Sequence, residues 1–153
     1  MILWVRHGQS TWNVMDRMQG QAVHPPLTDL GREQAARAAE KLATKNIDHI
    51  LSSPANRARE TAGIIAARLG LEVRIEPLLL ERGLEEPMHL VLARIQQFLA
   101  LDLPGNVVAI SHGDTIGLAV GLLSGQKPAL SGNCSITVVD PHTKAVQVTS
   151  VAD

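Results

Sequence analysis

With 153 residues and a formal net charge of −1, the chain has the length of a single domain over 1–153. It lacks the strong basic excess that binding to nucleic acid or an acidic membrane would call for. Aromatic residues make up 2% and tyrosine is absent, which argues against base-stacking platforms and for a core of Leu, Val, Ile and Ala. Cys134 is the only cysteine, so no intrachain disulfide forms and a reducing, cytoplasmic setting is expected.

The first apolar run, Ile2 to Val5, reads as a short strand buried on both faces. It ends in Arg6, far short of a secretory h-region, so no signal peptide is expected. No run approaches the ~20 apolar residues of a membrane span. Gly8 to Pro26 is polar, carries Asn13, Gln19 and Gln21, and reads as a long, functional loop. Thr28 is an expected N-cap for a helix to about Thr44, with Leu30, Ala35, Ala38, Ala39 and Leu42 as its apolar stripe.

Ile47 to Leu51 predicts a second strand, closing in Ser52-Ser53-Pro54. Pro54 suits the start of a helix to about Leu69, and Gly70 its C-terminal stop. Leu71 to Ile75 reads as an edge strand and Pro77 to Glu86 as irregular chain. Pro87 to about Leu101 predicts a helix burying Leu90, Ala93, Ile95, Phe98 and Leu99. Val107 to Ile110 is a further apolar strand, and a helix to about Leu123 follows it. Ser135–Val139 and Ala145–Val151 alternate around Asp140-Pro141-His142, which predicts a hairpin. This order implies a three-layer α/β/α fold with a mostly parallel central sheet and an antiparallel C-terminal hairpin at one edge.

Two of the apolar strands end in a His-Gly pair, Arg6-His7-Gly8 and Ser111-His112-Gly113. Ligands of open α/β sheets bind outside the carboxyl ends of the strands, so central placement of both strands brings the imidazoles to one rim. Each glycine lets the backbone approach a ligand and turn its N–H inward. The helix starting near Gly113 points the positive end of its dipole at that rim. Arg57, in the first turn of another helix, reaches the same place. Such a pocket fits a phosphoryl dianion, and the guanidinium charges keep a nearby imidazole neutral and nucleophilic.

These residues resemble the histidine phosphatase superfamily, the phosphoglycerate-mutase-like proteins. The matching pieces run from Arg6-His7-Gly8-Gln9-Ser10-Thr11-Trp12-Asn13 through Gln19-Gly20 and Pro26-Leu27-Thr28 with Gly31 and Gln34-Ala35. They continue through Ser52-Ser53-Pro54, Arg57-Ala58, Thr61-Ala62 and Leu79-Leu80-Glu81-Arg82 to Ser111-His112-Gly113. The resemblance implies a phosphoglycerate-mutase-like fold and catalysis through a phosphohistidine at His7. It assigns Arg6, Arg57 and His112 to the non-bridging oxygens. Asn13 and the Gly113 backbone N–H become auxiliary contacts, and Glu81 the proton donor, with Glu85 and Glu86 as nearby alternatives.

Larger relatives insert a cap between the acid and the next helix. Here only a few residues separate Glu81 from Pro87, which implies an open mouth and room for a bulky substrate. Asp114 stands where relatives often carry a small residue, and a carboxylate there weakens anion binding unless it points away. The leading expectation is a metal-independent phosphatase of small phosphorylated substrates. A phosphoglycerate mutase and a phosphatase of protein phosphohistidine are the enzymatic alternatives, and a phospho-ligand binding module is the non-enzymatic one. No cofactor is implied. Zinc ligation by His7, His112 and Asp114 is disfavoured by the two arginines and by the lack of an H-x-x-x-H spacing. The pattern assigns no oligomeric state.

Simpler roles stand beside these. Arg57 can pair with Glu60 on its own helix, Glu81 can bridge to Arg82, and Asn13 can serve a turn. Arg59 is expected to face solvent. His24, His49, His89 and His142 read as structural or solvated, Trp4 as core, and Cys134 as a small buried apolar residue.

Overall fold

A computed structural model describes residues 1–11, 26–126 and 132–151. Within them the strands are β1 (Ile2–Arg6), β2 (His49–Ser52), β3 (Val73–Ile75), β4 (Val107–Ser111), β5 (Ile136–Val139) and β6 (Val146–Thr149). The α-helices are α1 (Asp29–Leu42), α2 (Asn56–Leu69), α3 (Met88–Leu99) and α4 (Gly113–Ser124), with a 3-10 turn at Pro77–Leu79. One six-stranded sheet runs β3-β2-β4-β1-β5-β6. β3, β2, β4 and β1 are parallel, and the β5–β6 hairpin joins β1 in antiparallel fashion. The predicted three-layer fold, edge strand and edge hairpin are therefore present.

Alternation along the central strands explains the two covered faces. Leu3 and Val5 of β1, Ile50 of β2 and Val108 and Ile110 of β4 meet Ala35, Ala38, Leu42, Ala58, Ala62 and Ile65 of α1 and α2. Trp4, Leu51, Val107 and Ala109 point the other way, onto Val91, Ile95, Phe98, Ile116 and Ala119 of α3 and α4. Consecutive strand side chains face opposite sides, so a strand covered on both faces must be apolar throughout. Alanine lines much of the α1–α2 layer, which lets those helices lie close together.

Local signals account for the helix ends. Thr28 Oγ1 accepts the Gly31 N–H at 3.0 Å, which caps α1. Gly70 closes α2 in the left-handed region at φ 70°, where glycine has no Cβ penalty. Three sequence expectations are corrected. α2 begins at Asn56, two residues past the predicted Pro54, because Ala55 is extended. The segment Pro77–Glu86 contains the 3-10 turn, capped by Glu76. On α3 the buried residues are Val91, Ile95 and Phe98, whereas Leu90 is 50% exposed and Ala93 is exposed. Val91, Ile95 and Phe98 recur at i, i+4 and i+7 and make the buried stripe, with Phe98 against Trp4 at a ring-centroid distance of 5.5 Å.

Gly31 has a role that its sequence position conceals. A Cβ there would sit 2.1 Å from the Gln9 carbonyl oxygen, and one on Gly8 would sit 2.5 Å from the Gly31 oxygen. The backbones of α1 and the segment after β1 touch directly. Ser10 pairs with Leu27 in an isolated bridge. Residues 12–25 of the predicted Gly8–Pro26 loop, which include Trp12, Asn13, Gln19, Gln21 and His24, lie outside the described residues. Among the described residues no helix is long and apolar enough to cross a membrane.

Candidate active site

Parallel register brings the two histidines together. Arg6 of β1 is level with Ser111 of β4, and Ser52 of β2 with Ile110. The ladder extends past the strand ends: His7 N–H donates to the Ser111 carbonyl at 3.1 Å and Ser53 N–H to the Ile110 carbonyl at 2.9 Å. His7, His112 and Ser53 thus leave three neighbouring strands at one level. The imidazole centroids are 5.3 Å apart with planes at 61°, and both rings are almost fully buried.

Each ring is held by defined partners. His7 Nδ1 lies 2.7 Å from the Gly8 carbonyl oxygen. A carbonyl only accepts, so Nδ1 carries the proton and Nε2 is left with its lone pair. His112 Nε2 lies 2.8 Å from Ser53 Oγ, and Arg57 Nη2 approaches His112 Nδ1 at 3.4 Å. Because a guanidinium only donates, Nδ1 of His112 is the acceptor and Nε2 the donor to Ser53.

Electrostatics keep both rings neutral. The His7 pKa falls from 6.5 to about 3, chiefly through burial, with smaller contributions from Arg57 and Arg6; the Gly8 carbonyl opposes the shift. His112 is held well below its ordinary value by burial first and then by His7, Arg57 and Arg6. The expectation that neighbouring cations hold the imidazole neutral is therefore correct in direction, but burial is the larger cause.

Arg57 is fully buried and donates to Glu81 Oε2 at 2.9 Å. It does not pair with Glu60, which receives Arg32 and the Leu27 N–H instead. Burial raises the Glu81 carboxyl to about 7; Asp114 adds to the rise, while Arg57 and Arg6 oppose it. Arg6 lies against the start of α4, where a Cβ on Gly113 would sit 3.4 Å from its Nε. Glycine at 113 thus lets a guanidinium rest on the helix N-terminus. Burial lowers the pKa of both Arg6 and Arg57, with Glu81 and Asp114 opposing, yet a guanidinium stays charged at neutral pH.

Arg6, His7, Arg57, Glu81, His112 and Gly113 therefore meet at one rim. Asn13 lies outside the described residues. Gly8 departs from expectation: its N–H donates to Thr61 Oγ1 at 3.0 Å and does not turn into the pocket. Glu85 is exposed, and Glu86 binds Arg94 and the Gly83 N–H. Arg59 is exposed as expected. The Cys134 thiol is buried and pushed up to about 12 by that burial, which makes it inert.

Several supporting residues carry no obvious signal in the sequence. Arg94 of α3 donates to the Leu80 carbonyl at 2.8 Å and also pairs with Glu86, which anchors the segment bearing Glu81. Ser111 Oγ donates to the Leu79 carbonyl at 2.6 Å. Asn133 Nδ2 donates to the His7 carbonyl at 3.2 Å, and the Cys134 N–H bonds the Arg6 and His7 carbonyls. Ser53 and Thr61 fall within recognisable motifs, but their partners are distant in sequence.

Comparison with known proteins places this rim in context. The sequence model of the histidine phosphatase superfamily (branch 1) matches residues 2–100, a span that holds His7, Arg57 and Glu81 but stops short of His112. A protein of Enterobacter sp. named probable phosphoglycerate mutase GpmB is 30% identical over 178 aligned positions, covering 89% of this chain and 82% of that one. The protein of the same name from Photorhabdus laumondii is 46% identical over 77 residues, half of this chain and 35% of its own length. For several of the curated relatives the matched part spans 35% to 40% of their length. The mycobacterial glucosyl-3-phosphoglycerate phosphatase, solved with VO3, superimposes with a TM-score of 0.80 at 28% identity, covering 97% of this chain and 96% of that one.

Proposed function

The chain belongs to the histidine phosphatase superfamily, and from that premise we propose that it is a phosphomonoester phosphatase working through a phosphohistidine at His7. The observation that carries this reading is the His7 Nδ1 contact with the Gly8 carbonyl at 2.7 Å. It directs the free lone pair to Nε2 on a ring that is neutral at physiological pH, which is what a nitrogen nucleophile needs.

The phosphoryl dianion sits among Arg6, Arg57 and the Gly113 N–H at the start of α4, beside the His112 ring that Ser53 holds in place. Phosphoryl transfer is mostly positioning and charge stabilisation, and fixed guanidinium groups supply both without a metal. Nε2 of His7 attacks phosphorus in line as the bond to the leaving oxygen breaks. Glu81 donates its proton to that oxygen. The positive charge left on the imidazole is shared through Nδ1–H with the Gly8 carbonyl. Glu81, now a carboxylate, takes a proton from water, which attacks phosphorus and breaks the P–Nε2 bond. A pKa of about 7 suits a group that must give and then take a proton near neutrality. An arriving phosphate competes for Arg57, and a Glu81 relieved of that cation holds its proton more tightly. Substrate binding thereby favours the acid form.

The likeness to proteins named as mutases favours phosphoglycerate mutation as the second reading. Against it, only Arg82 to Pro87 separate Glu81 from α3, and a mutase must keep water from its phosphoenzyme. The test is hydrolysis of p-nitrophenyl phosphate in EDTA. The wild type is expected to turn over with an acid-labile phosphoenzyme, and His7→Ala to lose turnover while still binding vanadate. Interconversion of 2- and 3-phosphoglycerate stimulated by bisphosphoglycerate, faster than hydrolysis, would reverse the ranking.

A further inference from the structure

Asp114 occupies a place that the mechanism does not use. It is exposed in the first turn of α4. On one side is Gly113, which touches the Arg6 guanidinium. On the other is Thr115, whose Oγ1 donates to the Leu80 carbonyl at 3.4 Å, next to Glu81. Asp114 Oδ1 accepts the Thr115 N–H at 2.7 Å, which ties the carboxylate to the helix start. Its two neighbours in the chain therefore lie against a cation of the phosphate floor and against the residue that precedes Glu81. The described site carries charges of both signs. Arg6 and Arg57 supply its cations, and Glu81, bonded to Arg57, and Asp114, on the exposed first turn of α4, supply its carboxylates. Asp114 also acts on Glu81, Arg6 and Arg57 electrostatically, which places it within range of whatever occupies that site.

We propose that Asp114 selects substrates by the charge of the leaving group, favouring phosphomonoesters with an ammonium near the ester oxygen and disfavouring those with a carboxylate there. This rests on the phosphatase reading of the site. A unit charge a few ångströms from a surface carboxylate shifts a rate about three- to tenfold, attractive or repulsive. A leaving group resembling an amino alcohol gains from Asp114, and a hydroxy acid such as a glycerate loses.

The experiment compares kcat/KM at pH 7 and low ionic strength for three phosphate esters of similar size. Phosphoethanolamine is cationic at its far end, propyl phosphate neutral and phosphoglycolate anionic. The wild type is expected to rank them in that order. In Asp114→Asn the ratio of phosphoethanolamine to phosphoglycolate is expected to fall about three- to tenfold, and added salt should compress the wild-type ratio as screening grows. Loss of Asp114 also shifts Glu81, but that acts on all three esters and cancels in the ratio. An unchanged ratio in the variant, or a wild-type order that favours the carboxylate, overturns the inference. Failure of the wild type to hydrolyse any of the three or p-nitrophenyl phosphate overturns the phosphatase reading itself.

Discussion

Arg57 donates to Glu81 Oε2 at 2.9 Å, so a buried cation from a helix start holds the carboxyl that faces the site from a loop. Replacing Arg57 removes a phosphate ligand and the partner of Glu81 together. Arg57→Ala is expected to lower kcat/KM for p-nitrophenyl phosphate about 10²–10³-fold. Arg57→Lys should recover little of that, since a single ammonium cannot reproduce the planar fork. Substantial rescue by lysine in the same assay would show that the charge alone, without the planar fork, is what the site uses.

The Glu81 carboxyl near 7 predicts different pH profiles for different leaving groups. Alkyl phosphates need a proton on the departing oxygen, so their rate should fall as pH rises above about 7. p-Nitrophenolate leaves unprotonated, and its ester should lack that limb. Glu81→Gln should abolish the limb and slow alkyl phosphates about 10²–10⁴-fold, with a smaller effect on p-nitrophenyl phosphate. Steady-state profiles between pH 5 and 9 check this.

The same shift makes a stability prediction. The folded state raises Glu81 from 4.5 to about 7, so its neutral form is favoured there. That contribution is present at low pH and is lost as pH rises through the folded value. Glu81→Gln should therefore raise the urea midpoint at pH 8, for a gain on the order of 1 kcal/mol in unfolding free energy, and change it little at pH 4.

His7 acts in the opposite sense. Its folded pKa of about 3 lies below the ordinary 6.5, so the unfolded chain binds the extra proton between those values. Stability is full above 6.5 and declines as pH falls toward 3. His7→Gln should show a shallower loss of Tm between pH 7 and 4 than the wild type, measured by calorimetry.

Gly31→Ala tests the backbone contact of α1 with the segment after β1. The added methyl would sit 2.1 Å from the Gln9 carbonyl oxygen, and backbone on both sides limits relaxation. A loss of about 1–3 kcal/mol or more is expected, read as a lower denaturant midpoint. Gly63→Ala, where nothing lies within 4 Å of the added Cβ, should be neutral or stabilising.

Arg94→Met is expected to slow alkyl phosphates about tenfold more than p-nitrophenyl phosphate, because the anchored Leu80 carbonyl orients the proton donor. A uniform loss across leaving groups would mean that Arg94 serves the fold alone.

The sequence by itself determined the layered fold, because its central strands are apolar on both faces and can only be buried. It determined the two His-Gly strand ends as well, since a charged or polar residue directly after a buried strand has to emerge at the sheet's carboxyl edge. Helix limits at Thr28 and Gly70 were legible for the same local reason: caps act within one turn. What tertiary structure decided is partnership. Parallel register set His7 beside His112, and α3 buries Val91, Ile95 and Phe98 so that Leu90 faces outward. Arg57 bonds Glu81 across 24 positions in preference to the nearby Glu60. Gly8 gives its N–H to Thr61, 53 positions away, and Arg94 reaches back to Leu80. A hydrogen bond depends on distance and direction in space, and neither is written in the order of residues along the chain.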